Sequence, residues 1–160
     1  MVEQPVPYME RTRHYYRALG YESDYVWAHF ADVPFARLGK PLGECRIGLV
    51  TTASAPAAVR ADGTVAKQVW SGAVSPPPER LVTDNVAWDR ESTHTRDRES
   101  FLPIESAARL AGEGRFASLT AHFHGVPTEY SQRKTLELDA PQVLSRLRDD
   151  GADAAILCPL

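Results

Sequence analysis

The second half of the sequence predicts an α/β fold, with a mostly parallel sheet whose strands are joined by crossover helices. Three observations carry that prediction. The run Arg46-Ile47-Gly48-Leu49-Val50-Thr51-Thr52 is continuously apolar at its centre, as a strand buried on both faces should be. Two later segments carry helix signals, proline near the start and glycine just past the end. Each is followed by a further segment rich in β-formers and aliphatics, so the order is strand, helix, strand, helix, strand. This is the pattern of a Rossmann-like half, expected to be incomplete at its C-terminus. With 160 residues the chain has a natural size for one domain, so a single α/β domain over 1–160 is expected.

Along the chain, Met9 to Leu19 reads as a helix, with Tyr15, Tyr16 and Leu19 among charged residues and Gly20 at the terminating position. A loop-rich stretch follows, holding Trp27, His29, Phe30, Pro34 and Phe35. From Ala53 to Pro103 regularity is poor, and prolines 76, 77 and 78 reinforce the impression of a long irregular excursion over 53–103. Pro103 to Ala111 predicts a short helix ended by Gly112 and Gly114, and Phe116 to Phe123 a strand. Asp139 suits an N-cap and Pro141 a first turn, and Val143, Leu144 and Leu147 make an apolar stripe before Gly151. Ala154 to Cys158 is the final expected strand.

A net charge of −3 argues against non-specific binding of DNA or RNA, which needs a basic face. The start Met1-Val2-Glu3-Gln4-Pro5 lacks the basic and apolar regions of a signal peptide, and no apolar run approaches the roughly 20 residues of a membrane helix. A cytoplasmic protein without membrane contact is expected. Cys45 and Cys158 stand far apart and outside any C-x-x-C, so neither a disulfide nor a zinc signature is indicated. Cys45 reads as a buried small apolar residue.

Open parallel sheets bind ligands outside the carboxyl ends of their strands. The residues there are Thr51 and Thr52 after the first strand, His122 and His124 at the end of the second, and Cys158 with Pro159 after the third. His122 and His124, two apart, share a face if the strand persists. They are either one hydrogen-bonded and one solvated histidine, or two ligands of a metal completed by His94 or Asp97. The charged stretch from Trp88 to Ser100 is either a solvated loop or a folded lid. Arg133 is either a fork for a substrate carboxylate or an exposed ion-pair partner. Cys158 lies in an apolar run, where burial raises a thiol's pKa and quiets it.

Several segments resemble one family. Tyr8-Met9-Glu10-Arg11-Thr12-Arg13 with Tyr15-Tyr16 and Ala18-Leu19-Gly20-Tyr21 is similar to the opening of the glycine/sarcosine/betaine reductase selenoprotein B family, which includes D-proline reductase. The resemblance continues through Trp27-Ala28-His29-Phe30-Ala31-Asp32-Val33-Pro34-Phe35 and Leu49-Val50-Thr51-Thr52-Ala53. It takes in Thr93-His94-Thr95-Arg96-Asp97, Gly125-Val126-Pro127-Thr128, Tyr130-Ser131-Gln132-Arg133 and Asp150-Gly151-Ala152-Asp153-Ala154-Ala155, and so spans nearly the whole chain.

The resemblance implies reductive cleavage at the α-carbon of an amino acid or its N-methyl derivative, with a disulfide as acceptor and no cofactor on this chain. It implies a small amino-acid-like substrate held by Thr51, Thr52, His94, Asp97, His124 and Arg133. Implied partners are a pyruvoyl-bearing subunit, a small carrier selenoprotein and a thioredoxin-like donor. In the family a reactive Sec or Cys follows the strand that Ala154 to Cys158 resembles, with a second Cys a few residues on. By that alignment Leu160 precedes the reactive position, and the reading frame is expected to run on through it. Two rival expectations are a binding or regulatory subunit without the redox centre, and a metal-dependent enzyme using His122 and His124.

Overall fold

The computed structural model describes residues 7–24, 26, 28–83, 95–128 and 131–160. The chain divides into two compact units, Met1–Phe35 and Ala36–Leu160.

In the first unit, helix α1 (Tyr8–Ala18) forms where the aromatic and charged pattern expects it. It closes in a Schellman turn. The Gly20 N–H donates to the Arg17 carbonyl at 3.0 Å and the Tyr21 N–H to the Tyr16 carbonyl at 3.2 Å, with Gly20 at φ 90°. Arg17 then forks onto Asp24 at 2.8 and 2.6 Å, and the Tyr16 and Tyr21 rings meet edge to face at 5.4 Å. No residue of α1 is buried.

The second unit is an α/β fold built on β1 (Arg46–Thr51), which is buried at every position after Arg46. Along one edge β1 pairs in parallel with β5 (Ala154–Cys158), from Ile47 opposite Ala154 to Thr51 opposite Cys158. Along the other edge it pairs in parallel with β3 (Ser118–Leu119) and then with β4 (His122–Gly125). The carbonyls of Cys45, Ile47 and Thr51 accept from Ala117, Thr120 and Val126, whereas the Arg46 carbonyl accepts from Asp153, so alternate carbonyls serve opposite edges. Outside β4 lies β2 (Trp70–Ala73), antiparallel, with Ser71 opposite His124. The five-stranded sheet is therefore mixed, parallel except for β2.

Two expectations are corrected here. The segment expected as one strand over Phe116 to Phe123 is two short strands, and the second runs on to Gly125. Between the paired positions Ile47–Leu119 and Val50–His124, two β1 residues face four, 120–123. The break lies where the Thr120 hydroxyl donates to the His122 carbonyl at 2.7 Å, a local bond that competes with the ladder. The described residues of the excursion over 53–103 are also more regular than expected. They include β2 and the antiparallel bridges Ser54–Val82 and Val59–Val65. Trp70 holds β2 in place. Its ring meets Phe123 edge to face at 5.3 Å, its Nε1 donates to the Ala53 carbonyl at 3.2 Å, and it lies so close over Gly125 that a Cβ there would sit 1.8 Å from Nε1.

Helix α2 (Ile104–Gly112) buries Ile104 and Ala107 against Cys45, Ile47, Leu49 and Phe123 on one face of the sheet. Its open N-terminal donors are covered from outside the helix. The Glu99 carboxylate accepts from the Glu105 and Ser106 N–H groups at 3.1 and 3.0 Å, while Arg98 pairs with Glu105. Burial works against the Glu99 charge, yet the hydrogen bonds with Glu105 and Ser106 outweigh it and hold that carboxyl down at about 2.

On the opposite face lies a continuous helical run made of α3 (Gln132–Lys134), a wide π segment (Thr135–Asp139) and α4 (Ala140–Asp149). Val143 and Leu147 of α4 pack with Val50, Val69 and Ala155. Asp139, expected as the N-cap, is instead helical (φ −73°, ψ −47°) and 3% exposed. The cap is Ser131, whose hydroxyl accepts from the Lys134 N–H at 3.3 Å. Pro141 lies inside the run, lacks an N–H and would crowd the carbonyl four residues back. The wider π turn ahead of it relieves that conflict. With α2 on one face and α4 on the other, the chain leaves β1 first toward β3 and β4, then returns to its far side as β5. The direction reverses between β1 and β5, the topological switch point of the sheet.

Candidate functional site at the carboxyl end of the sheet

A cavity of about 390 Å³ opens at this switch point. Thr51 and Thr52 at the end of β1, Leu157, Cys158 and Pro159 at the end of β5, and Val126 beyond β4 form its floor and rim. Ala140, Val143, Leu144 and Leu147 of α4 and Thr135 of the π segment form its other wall. The lining is almost wholly apolar. Thr51 is 1% exposed and its Oγ1 accepts from the Ala53 N–H at 3.3 Å. The Thr52 Oγ1 accepts from the Leu160 N–H at 2.8 Å, so the backbone leaving β5 is tied to the rim. Cys158 stands opposite Thr51 in the ladder, and burial pushes its thiol up from its ordinary value.

Thus Thr51, Thr52 and Cys158 come together as the sequence expects. Others do not join them. His122 and His124 lie in β4, which runs on past the expected end at Phe123 to Gly125, and neither lines the cavity. Asp97 precedes α2 and turns inward on its own segment, its Oδ1 accepting from the Glu99 N–H at 3.0 Å. Arg133, with a side chain 75% exposed, pairs with Glu137 at 2.8 Å one helical turn away. Neither Asp97 nor Arg133 lines the cavity. His94, Trp27 and most of the expected lid lie outside the described residues.

No family model, curated protein or solved structure matches the chain.

A second, polar constellation lies on the same sheet face at the last turn of α4. His124 is 1% exposed, and its Nδ1 is 2.9 Å from the Ser71 Oγ, to which Arg146 Nη1 also donates at 2.9 Å. The His124 Nε2 is 3.8 Å from Asp150 Oδ2. Asp150 in turn accepts from the His122 backbone N–H at 3.2 Å and contacts His122 Nδ1 at 3.1 Å. Burial lowers the His124 pKa; the Asp150 carboxylate opposes that shift, while Arg146 and His122 add to it. His122 and His124 do share a face, one buried and one exposed, and both face Asp150. Among the described residues no group of three His, Cys, Asp or Glu side chains is placed to hold a metal ion. Sequence reasoning missed Ser71, Arg146 and Asp150. The one available signal was the i, i+4 spacing of Arg146 and Asp150 at the end of the apolar stripe.

Proposed function

We propose that the chain is a component B-like part of a glycine/sarcosine/betaine/D-proline reductase-type system, with the switch-point cavity as its substrate site. The observation that carries this reading is the bond from the Leu160 N–H to Thr52 Oγ1. The position that the resemblance assigns to the reactive Sec or Cys follows β5, and it would be delivered to the rim beside Thr51 and Thr52. There a selenolate, ionised at neutral pH, would attack the substrate α-carbon and displace its amine. A thiol of the thioredoxin-like donor would then take the selenium off that carbon, the donor's two thiols supplying the two electrons and ending as a disulfide. An unperturbed thiol, with pKa about 8.5, is mostly protonated at that pH. Cys158 is a poor substitute, since burial favours its neutral form. The apolar walls would exclude water around the methylene or N-methyl groups of the substrate. The partners in this reading are a pyruvoyl-bearing subunit, a carrier selenoprotein and a thioredoxin-like donor, and the setting is the cytoplasm. No helix among the described residues is long and apolar enough to cross a membrane.

The second reading, a subunit that binds without redox chemistry, is favoured by the quiet thiol of Cys158, the cavity's sole sulfur among the described residues. Reading the codons that follow Leu160 separates the two. The reductase reading expects an in-frame UGA or Cys codon and a second Cys codon a few positions on. A UAA or UAG stop there, with no such continuation, overturns it in favour of the binding subunit.

A further inference from the structure

We propose that Ser71 is the nucleophile of an acyl-transfer site separate from the cavity, with His124 as its base and Arg146 as its oxyanion partner, acting on small carboxylic esters. The inference goes beyond the reductase reading and rests on the hydrogen-bond directions at the polar constellation.

Ser71 and His124 are directly opposite in the antiparallel ladder of β2 and β4, so the backbone sets their approach. A guanidinium only donates, so the Ser71 Oγ accepts from Arg146 at 2.9 Å. The Nε2 edge of His124 faces the Asp150 carboxylate at 3.8 Å and has no hydrogen-bond partner among the described residues. Opposite a carboxylate the favoured tautomer carries its proton on Nε2. Nδ1 is then the acceptor, and the Ser71 hydroxyl donates to it across 2.9 Å. The serine proton therefore already points at a base. Asp150 acts through His124 as a positioning residue, anchored by His122 at 3.2 and 3.1 Å. The charged and titratable groups facing His124 are Arg146 and Asp150 from the helix and His122 from its own strand. Their balance with burial keeps the imidazole neutral at neutral pH, the form a general base needs. Ser71 itself is exposed, so an ester reaches it from solvent.

The step balances without any redox partner. The Ser71 oxygen bonds to the ester carbonyl carbon as its proton passes to His124 Nδ1, and the developing oxyanion lies against the Arg146 guanidinium. The bond to the leaving alcohol breaks, and the alcohol takes that proton from His124. Water then attacks the acyl-serine, giving a proton to His124 and on to Ser71, and releases the carboxylic acid.

The test is to treat the whole chain with a fluorophosphonate probe and locate the label by peptide mass spectrometry. The expected result is one label per chain, on Ser71, absent in Ser71→Ala. His124→Gln should slow labelling by at least about 100-fold, the usual worth of a positioned base. The wild-type rate should rise with pH through a single deprotonation below the ordinary imidazole range, because neutral His124 is the active form. Asp150→Asn should move that inflection to lower pH, since the carboxylate raises the His124 pKa. The pH profile stands even if His124→Gln fails to fold. Labelling no faster than in the urea-unfolded chain, labelling that persists in Ser71→Ala, or a rate that does not fall as pH drops below the ordinary imidazole range overturns the proposal.

Discussion

The two ends of α4 lie on the same face of the same sheet and do opposite things. Its apolar side presents Ala140, Val143, Leu144 and, in the last turn, Leu147 to an almost wholly apolar cavity at the carboxyl ends of β1 and β5. Its last turn presents Arg146, with Asp150 just beyond, to a buried histidine and a serine hydroxyl. One amphipathic stripe thus serves a dry end and a polar end, and Val50 stands between them, lining the cavity while paired with His124. The difference teaches where each chemistry can act. Burial neutralises a titratable group unless a charge or hydrogen bond compensates it, so the dry end quiets Cys158 while the polar end leaves His124 available as a base.

The largest effect expected is at the dry end. A Cβ at Gly48 would lie 2.3 Å from Leu147 Cδ2, so Gly48→Ala overpacks the contact that seats α4. It should cost about 1–3 kcal/mol in urea unfolding. Leu147→Ala in the same chain should recover part of that loss; additive losses would deny the contact its role.

The next pair of effects should carry opposite signs at the two ends. His124 has a folded pKa below its ordinary 6.5, so its contribution is fully present above that value and lost as pH falls below it. Cys158 has a folded pKa above its ordinary value, so its contribution is present below that value and lost as pH rises past it. Urea midpoints followed against pH should lose their decline below 6.5 in His124→Gln, and their alkaline decline in Cys158→Ala. Away from both ends, Glu99→Gln should remove a separate acid loss between 4.5 and about 2, where the depressed carboxyl of the α2 cap takes up its proton.

What was legible in the sequence follows the same division. Thr51, Thr52 and Cys158 could be grouped because each ends a continuous apolar run, and runs of that kind stack in register in a parallel sheet. The helix α2 and the stripe of α4 were legible from their proline, glycine and apolar spacing. The strand β2 was not, because Trp70-Ser71-Gly72-Ala73 has one large apolar residue and takes its order from Phe123 and Gly125, some fifty positions on. The polar end stayed hidden for the same reason, since Ser71 meets His124 only through that pairing. Asp97 and Arg133 misled because their polar groups find local partners, a cap on their own turn and a glutamate four residues away. Asp139 misled because a proline two residues on marks a helix start in most sequences, and here marks a widened turn within one.

A smaller effect sharpens the contrast further. Iodoacetamide at neutral pH should modify Cys158 at least about tenfold more slowly than a free thiol, because only the thiolate reacts and burial disfavours it. Rapid stoichiometric alkylation of Cys158 with Cys45 untouched would contradict the quiet reading of the dry end.

The proposal that the dry end is the substrate site of a reductase-type component is tested most directly by amide chemical shifts. In ¹H–¹⁵N spectra titrated with glycine, sarcosine, betaine and D-proline in turn, at least one ligand should move the Thr51, Thr52 and Cys158 amides saturably. The Ser71 and His124 amides should stay in place. No shift with any of the four, or shifts confined to the His124 constellation, would contradict it.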